Sequence, residues 1–297
     1  MDVTSTVTDG NESLEAYYGF QIDLSTSFTG EDSLDVSLDA GNSGGAATEL
    51  DLNSTTDEAL SVDGISYTFP IGDKVTAFVG DNTDGSLLYS TACVYGGPGN
   101  TLDDCGAATA PLGSGSGTAA GASFDIGNGF TAAVGYTGAG SSTSGLLTKE
   151  GDDAYGAQLS YAADSYGASV TYANTESSGA DTTYWALNGY WTPSDSGSVP
   201  SVSVGYEVGD PESSGAKDTT QYFVGLQWDE VGPGTFGVAL GTDGAFAEDA
   251  TEYMIYEAFY SYPVNDGMTI TPLIYVREND ATKSDQTGIL VKTSFSF

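Results

Sequence analysis

The sequence predicts an all-β chain closed into a transmembrane antiparallel barrel, and three observations carry that reading. Apolar and polar residues alternate in segment after segment. The connections between segments are short and long by turns. The last eleven residues, Thr287-Gly-Ile-Leu-Val-Lys-Thr-Ser-Phe-Ser-Phe297, form an alternating strand that ends on an aromatic residue. In that strand Ile289, Val291, Thr293, Phe295 and Phe297 share one face, and Leu290, Lys292, Ser294 and Ser296 share the other. A membrane barrel needs such a division, with an apolar stripe facing lipid and a polar stripe facing a wet lumen.

The same sorting runs back along the chain. Residues 268 to 277 set Ile270, Pro272, Ile274 and Val276 outward against Thr271, Tyr275 and Arg277. Residues 253 to 264 set Met254, Tyr256, Ala258, Tyr260 and Tyr262 against Glu257. Residues 201 to 208 set Val202, Val204, Tyr206 and Val208 against Ser203 and Glu207. Near the start, Phe20, Ile22, Leu24 and Phe28 oppose Gln21, Asp23, Ser25 and Ser27, and Leu34, Val36 and Leu38 oppose Asp35, Ser37 and Asp39. Fifteen segments sort in this way. Barrels of a single bacterial chain close with an even count, so residues 2 to 8, rich in Thr and Val, are expected to supply a sixteenth strand. Fourteen strands is the alternative. The whole of 1–297 reads as one barrel domain.

Turns are tight at Thr29-Gly-Glu-Asp, Ile71-Gly-Asp-Lys, Gly127-Asn-Gly, Asp164-Ser, Val231-Gly-Pro-Gly and Asn265-Asp-Gly. Longer polar loops fall between them, at 42–60, 82–115, 139–151, 173–180, 209–218 and 278–286. Short turns at one end and long loops at the other is the asymmetry of an outer-membrane barrel. Charge placement agrees. Asp23, Asp35, Asp39, Asp125, Glu207, Asp229, Glu257, Arg277 and Lys292 fall on the inward set, and Asp63, Asp81 and Glu230 are assigned outward at strand ends. A soluble sandwich would bury that inward charge in a dry core, at high cost.

Composition removes several functions. Six basic residues against 42 acidic ones give a formal charge of −36, so no basic surface exists for nucleic acid. Histidine is absent, which removes Ser-His and Cys-His nucleophile pairs and the commonest metal ligand; an enzyme is not expected. Lumenal carboxylate pairs can mimic a glycosidase site, but nothing positions a substrate between them. No run of about eighteen apolar residues occurs, so a spanning helix is excluded. Met1-Asp-Val-Thr shows neither the basic start nor the apolar core of an export signal.

Cys93 and Cys105 match no zinc spacing and read as a disulfide in an oxidising compartment, with two free thiols as the alternative. They sit in the longest loop, 82–115, the candidate constriction. If that loop folds inward, Asp103 and Asp104 stand at the narrow point, where charged rings set ion selectivity. The alternative is an external loop stapled against proteolysis. Asp23, Asp35, Asp39, Asp125, Glu207 and Glu257 are the candidate pore-lining acids. Arg277 and Lys292 are candidate cations for a transverse field, unless each pairs with a neighbouring carboxylate. Acidic clusters at Asp57-Glu58, Glu150-Gly-Asp-Asp153 and Glu278-Asn-Asp280 offer oxygen ligands for Ca²⁺ but lack EF-hand spacing, so they read as solvated loops and no cofactor is expected.

Several stretches resemble a known family. Ile22-Asp-Leu-Ser-Thr-Ser-Phe-Thr-Gly-Glu-Asp-Ser-Leu with Leu38-Asp-Ala-Gly-Asn resembles the opening hairpin of cyanobacterial outer-membrane porins of the carbohydrate-selective OprB-like type, often labelled iron-uptake porins. Ser66-Tyr-Thr-Phe-Pro-Ile-Gly-Asp resembles the next strand and turn. The end is the most similar: Glu257-Ala-Phe-Tyr-Ser-Tyr-Pro-Val-Asn-Asp-Gly-Met-Thr-Ile-Thr-Pro-Leu-Ile and Thr293-Ser-Phe-Ser-Phe. The resemblance implies a sixteen-stranded, homotrimeric barrel in the outer membrane that passes small solutes and inorganic ions. The family usually places an S-layer-homology domain and a coiled coil before the barrel; these 297 residues carry neither, so the resemblance carries no wall anchoring over to them. The acidity of the chain points to a cation-preferring passive pore. The competing expectations are an acidic structural or adhesive surface protein and a substrate-specific channel for sugar or iron.

Overall fold

Alternation with period two puts successive side chains on opposite faces, so each segment sorted above becomes a strand with one apolar and one polar face. In the computed structural model, residues 2–8, 11–42, 59–99, 101–102, 105, 117–140, 145–148, 151–176, 181–195, 197–278 and 285–296 are described. The strands are β1 (Asp2–Thr8), β2 (Asn11–Thr26), β3 (Ser33–Gly41), β4 (Ser61–Ile71), β5 (Val75–Asp81), β6 (Thr118–Gly127), β7 (Phe130–Gly138), β8 (Asp153–Ala162) and β9 (Tyr166–Glu176). They continue with β10 (Thr182–Trp191), β11 (Ser201–Pro211), β12 (Thr219–Val231), β13 (Gly234–Thr242), β14 (Phe246–Ala247), β15 (Met254–Asn265), β16 (Met268–Arg277) and β17 (Gln286–Phe295).

Apart from the two-residue β14, which pairs with Thr219 and Thr220 of β12, there are sixteen long strands. Each pairs antiparallel with the next, and β1 pairs with both β2 and β17, aligning Thr4 with Tyr17 on one side and Lys292 on the other. The ring of pairings therefore closes with no free edge. Residues 2 to 8 are the expected sixteenth strand. β2 begins at Asn11, earlier than the alternation of its polar and apolar residues suggests.

The outward aliphatic side chains are exposed. Ile22, Leu24, Val134, Leu159, Leu187, Val204, Ile274 and Ile289 all stand out from the wall. Aromatic rings flank this aliphatic band in two rows. Phe130, Tyr161, Tyr166, Trp191, Trp228, Phe236 and Tyr262 lie towards the short turns, with Phe130 against Tyr161 at 4.7 Å between centroids and Trp228 against Phe236 at 5.7 Å. Tyr136, Tyr155, Tyr172, Trp185, Tyr222 and Tyr256 lie towards the long loops, with Tyr172 edge-on to Trp185 at 5.1 Å. An apolar band between two aromatic girdles is what a bilayer requires of a barrel surface.

The turn joining β2 to β3 is fixed by one carboxylate. Asp32 accepts from Ser27 Oγ, the amides of Phe28 and Thr29, Thr29 Oγ1, and the Tyr67 hydroxyl at 2.6 Å. Those donors hold its carboxyl well below the usual carboxylate range, the Ser27 hydroxyl having the largest effect.

Candidate functional site

The inner wall is polar where it is open. On β2 and β3, Asp23 accepts from Gln21 Nε2 at 2.9 Å and from Ser37 Oγ at 2.7 Å, and Asp35 accepts from Ser33 Oγ at 2.9 Å. Asp39 is buried and accepts from Ser61 Oγ at 3.2 Å. Asp125 is exposed near the β6–β7 turn and accepts the Gly127 amide at 2.8 Å.

Asp63 departs from its assignment. Its expected place was outward, at a strand end. Between β3 and β4 the register shifts, with Val62 opposite Leu38 but Gly64 opposite Ser37, so Asp63 is the extra residue of a β-bulge. A bulge re-aims the side chain it carries. Asp63 joins Asp35, Ser37, Asn82, Thr83 and Asp84 around a recess of about 360 Å³, within Coulombic reach of Asp39 and Asp23. The signal for it in the sequence is Gly64, since glycine inside a strand marks a bulge or a close approach.

The long loop after β5 runs against the opposite wall, held by inward side chains of five strands. Gln158 of β8 exchanges two hydrogen bonds with the backbone of Ser90, at 2.7 and 2.9 Å. Ser203 of β11 accepts the amides of Val94 and Tyr95 at 3.0 and 3.1 Å, and Gln227 of β12 accepts that of Gly96 at 2.9 Å. Glu257 of β15 accepts the Tyr95 hydroxyl at 2.6 Å and the Thr101 hydroxyl. Lys292 of β17 donates to the Pro98 carbonyl at 3.5 Å.

Apolar packing completes the seat. Tyr95, Leu102 and Cys105 from the loop bury against Phe223, Ala239, Ile255, Phe259, Leu273, Tyr275 and Leu290 of the wall. The Tyr95 ring lies 5.4 Å from Phe223 and 5.7 Å from Phe259. Cys93 and Cys105 are joined as a disulfide, with Cα atoms 6.1 Å apart. Burial, followed by the adjacent Glu257 charge, pushes the Tyr95 phenol far above its ordinary value; burial does the same to Tyr89. Both hydroxyls therefore stay protonated. The described residues of the loop thus lie against inward side chains of the wall.

The sequence-derived candidates fall into three groups. Asp23, Asp35 and Asp125 face accessible space, and Asp39 is buried on β3. Glu207 and Glu257, expected in a wet lumen, are 2% and 4% exposed, the first accepting from Gln221 Nε2 at 2.7 Å. Arg277 lies 3.3 Å from the Asp243 carboxylate, which is the paired alternative rather than the free one. Asp103 and Asp104 lie outside the described residues, as do Asp57, Glu58, Glu150 and Asp280. Among the other acids named for Ca²⁺, Asp153 accepts from Tyr136 and the Leu147 amide, and Glu278 from Met254 and Tyr256. No group of three metal ligands forms among the described residues. The loop-seating residues Gln158, Ser203 and Gln227 are polar, inward and unremarkable in sequence, so alternation does not single them out.

A ring of sixteen paired strands with one long loop laid inside it decides the comparison with solved structures. The fold is that of the bacterial porins. An anion-selective porin from Comamonas acidovorans aligns over 100% of this chain and 97% of its own, with a TM-score of 0.66 and 13% identity. Pseudomonas putida OprB aligns over 100% and 93%, with a TM-score of 0.67 and 11% identity. A loop-deleted form of OmpT, an outer membrane protein of Vibrio cholerae, aligns over 99% and 96%, with a TM-score of 0.66 and 9% identity. No family model matches the sequence, and no curated protein sequence matches it either. At such identities the porin likeness concerns the fold.

Proposed function

We propose that this protein is an outer-membrane diffusion pore for small hydrophilic solutes and inorganic ions, with a preference for cations. The outward band and its two girdles support residence in a membrane, and the polar inner wall supports a wet path through it. The observation that carries the cation preference is the unequal division of charge inside the barrel. The wall from β2 to β6 presents Asp23, Asp35, Asp63 and Asp125, and Asp39 lies buried in it. Of the inward cations on the described strands, Arg277 lies against Asp243 and Lys292 against the loop carbonyl of Pro98. Clustered acids on an open wall lower the potential along the path and concentrate counter-ions there. Assembly as a homotrimer belongs to the same reading, on the strength of the family resemblance.

The test is the reversal potential of the purified protein in a planar bilayer under a KCl gradient. Stepwise conductance with a potential favouring K⁺ is expected. Steps favouring Cl⁻ would place the acids outside the path. Absence of steps would favour an acidic surface protein without a channel.

A further inference from the structure

Glu257 enters from the sequence as one more lumenal acid, but its surroundings give it a different task. Both carboxylate oxygens are taken by hydroxyls of the loop, those of Tyr95 and Thr101. The loop backbone closes over them at Gly97, where a Cβ would stand 2.8 Å from Glu257 Oε1. The Tyr95 ring that brings one hydroxyl there is wedged between Phe223 and Phe259. From the inner wall Glu257 thus engages the loop on both sides of the Pro98 bend, at Tyr95 and at Thr101.

Resting on the pore reading above, we propose that Glu257 is a positioning residue that sets the width of the channel. It pins the loop to the β12–β17 wall and so leaves the β2–β6 side open. It acts by accepting two hydrogen bonds, and the width of the pore follows those bonds rather than the charge. Buried hydrogen bonds that water does not replace are each worth enough, charge aside, that losing both raises the population of released loop by roughly tenfold.

Three variants separate bonding from charge. Glu257→Ala removes both. Glu257→Gln removes the charge but keeps an oxygen for Tyr95 and an amide for Thr101. Tyr95→Phe with Thr101→Val keeps the charge and removes the donors. Each is checked for folding by its heat-sensitive mobility in detergent gels. Size cut-off is read by swelling of protein-loaded liposomes in sugars of increasing size. Loop release is read by hydrogen exchange of amides in 89–102.

Glu257→Ala and the double variant should lose amide protection and shift the cut-off, whereas Glu257→Gln should keep both near the parent. If Gln and Ala behave alike, Glu257 acts through its charge and the proposal fails. Unchanged exchange in the double variant overturns it as well, and that variant carries the test if Glu257→Ala does not fold. Hydrogen exchange reads loop anchoring whether or not the protein conducts. A parent protein that shows no conductance therefore counts against the pore reading, and unchanged exchange counts against the anchor.

Discussion

Replacing Leu187 by arginine tests whether the outward band faces lipid. Leu187 sits mid-strand in β10, 59% exposed, opposite Val170 of β9 and Tyr206 of β11, with Trp185 and Trp191 of the same strand towards the two girdles. No packing partner is lost that could dominate the result. If this point lies at the bilayer midplane, arginine there costs about 2–4 kcal/mol, as on the lipid face of other barrels. The same change at Val264, exposed at the turn end of β15, should cost about 0–1 kcal/mol, because depth sets the penalty. On a face that water covers, both changes would fall within roughly ±0.5 kcal/mol. Urea titration of the protein folded into vesicles, followed by tryptophan emission, measures the difference; all three tryptophans, Trp185, Trp191 and Trp228, lie on the outward face. Equal costs at Leu187 and Val264, or a cost below about 0.5 kcal/mol at Leu187, would refute the membrane-facing assignment.

Asp35→Asn combined with Asp63→Asn should move the reversal potential towards zero. The shift should be larger in about 0.1 M than in 1 M KCl, since the screening length falls from about 10 Å to about 3 Å. Cys93→Ser with Cys105→Ser frees a loop closed across a sequence separation of 12, which loosens its ordering by about 3 kcal/mol on the chain-entropy account. Noisier single-channel currents with unchanged far-UV dichroism are expected. The Asp32 carboxyl is held low in the folded protein, so its stabilising effect is complete above the ordinary aspartate range and disappears as pH falls through that range towards the lower folded value. Asp32→Asn should accordingly flatten the acid limb of a stability–pH curve obtained by denaturant titration.

Facing was legible because it depends on local alternation, and strand number because alternation marks fifteen segments and closure requires an even count. What escaped depends on register or on distance along the chain. A bulge at Asp63 shifts every partner beyond it by one residue, and a slip of one exchanges the faces. β14 escaped because Phe246 and Ala247 make too short a segment for any period to show. The seat of the long loop escaped for another reason. Its decisive contact joins Tyr95 to Glu257 across a separation of 162 residues, and Ser203 and Gln227 reach loop amides from 109 and 131 residues away. A serine or glutamine on the inward face looks the same whether it meets water or a loop backbone.

Yet the choice of wall does leave a trace in the pattern. Strands covered on both faces read as nearly continuous apolar runs, whereas strands with one wet face alternate. β2 and β3 alternate strictly, as Phe20-Gln-Ile-Asp-Leu-Ser25 and Leu34-Asp-Val-Ser-Leu-Asp39. β15, β16 and β17 break the rule, because Ile255, Phe259, Leu273, Tyr275 and Leu290 are apolar on the inward side, and all are almost fully buried. A wet lumen would penalise those residues. They are stable there because Tyr95, Leu102 and the disulfide cover them. The apolar inner stripe and the loop that meets it are therefore one device, and the strands that keep their alternation are the ones left to water and ions. Asp23 and Asp35, which stay accessible, lie on those same strands, so the side that the loop leaves open carries acids.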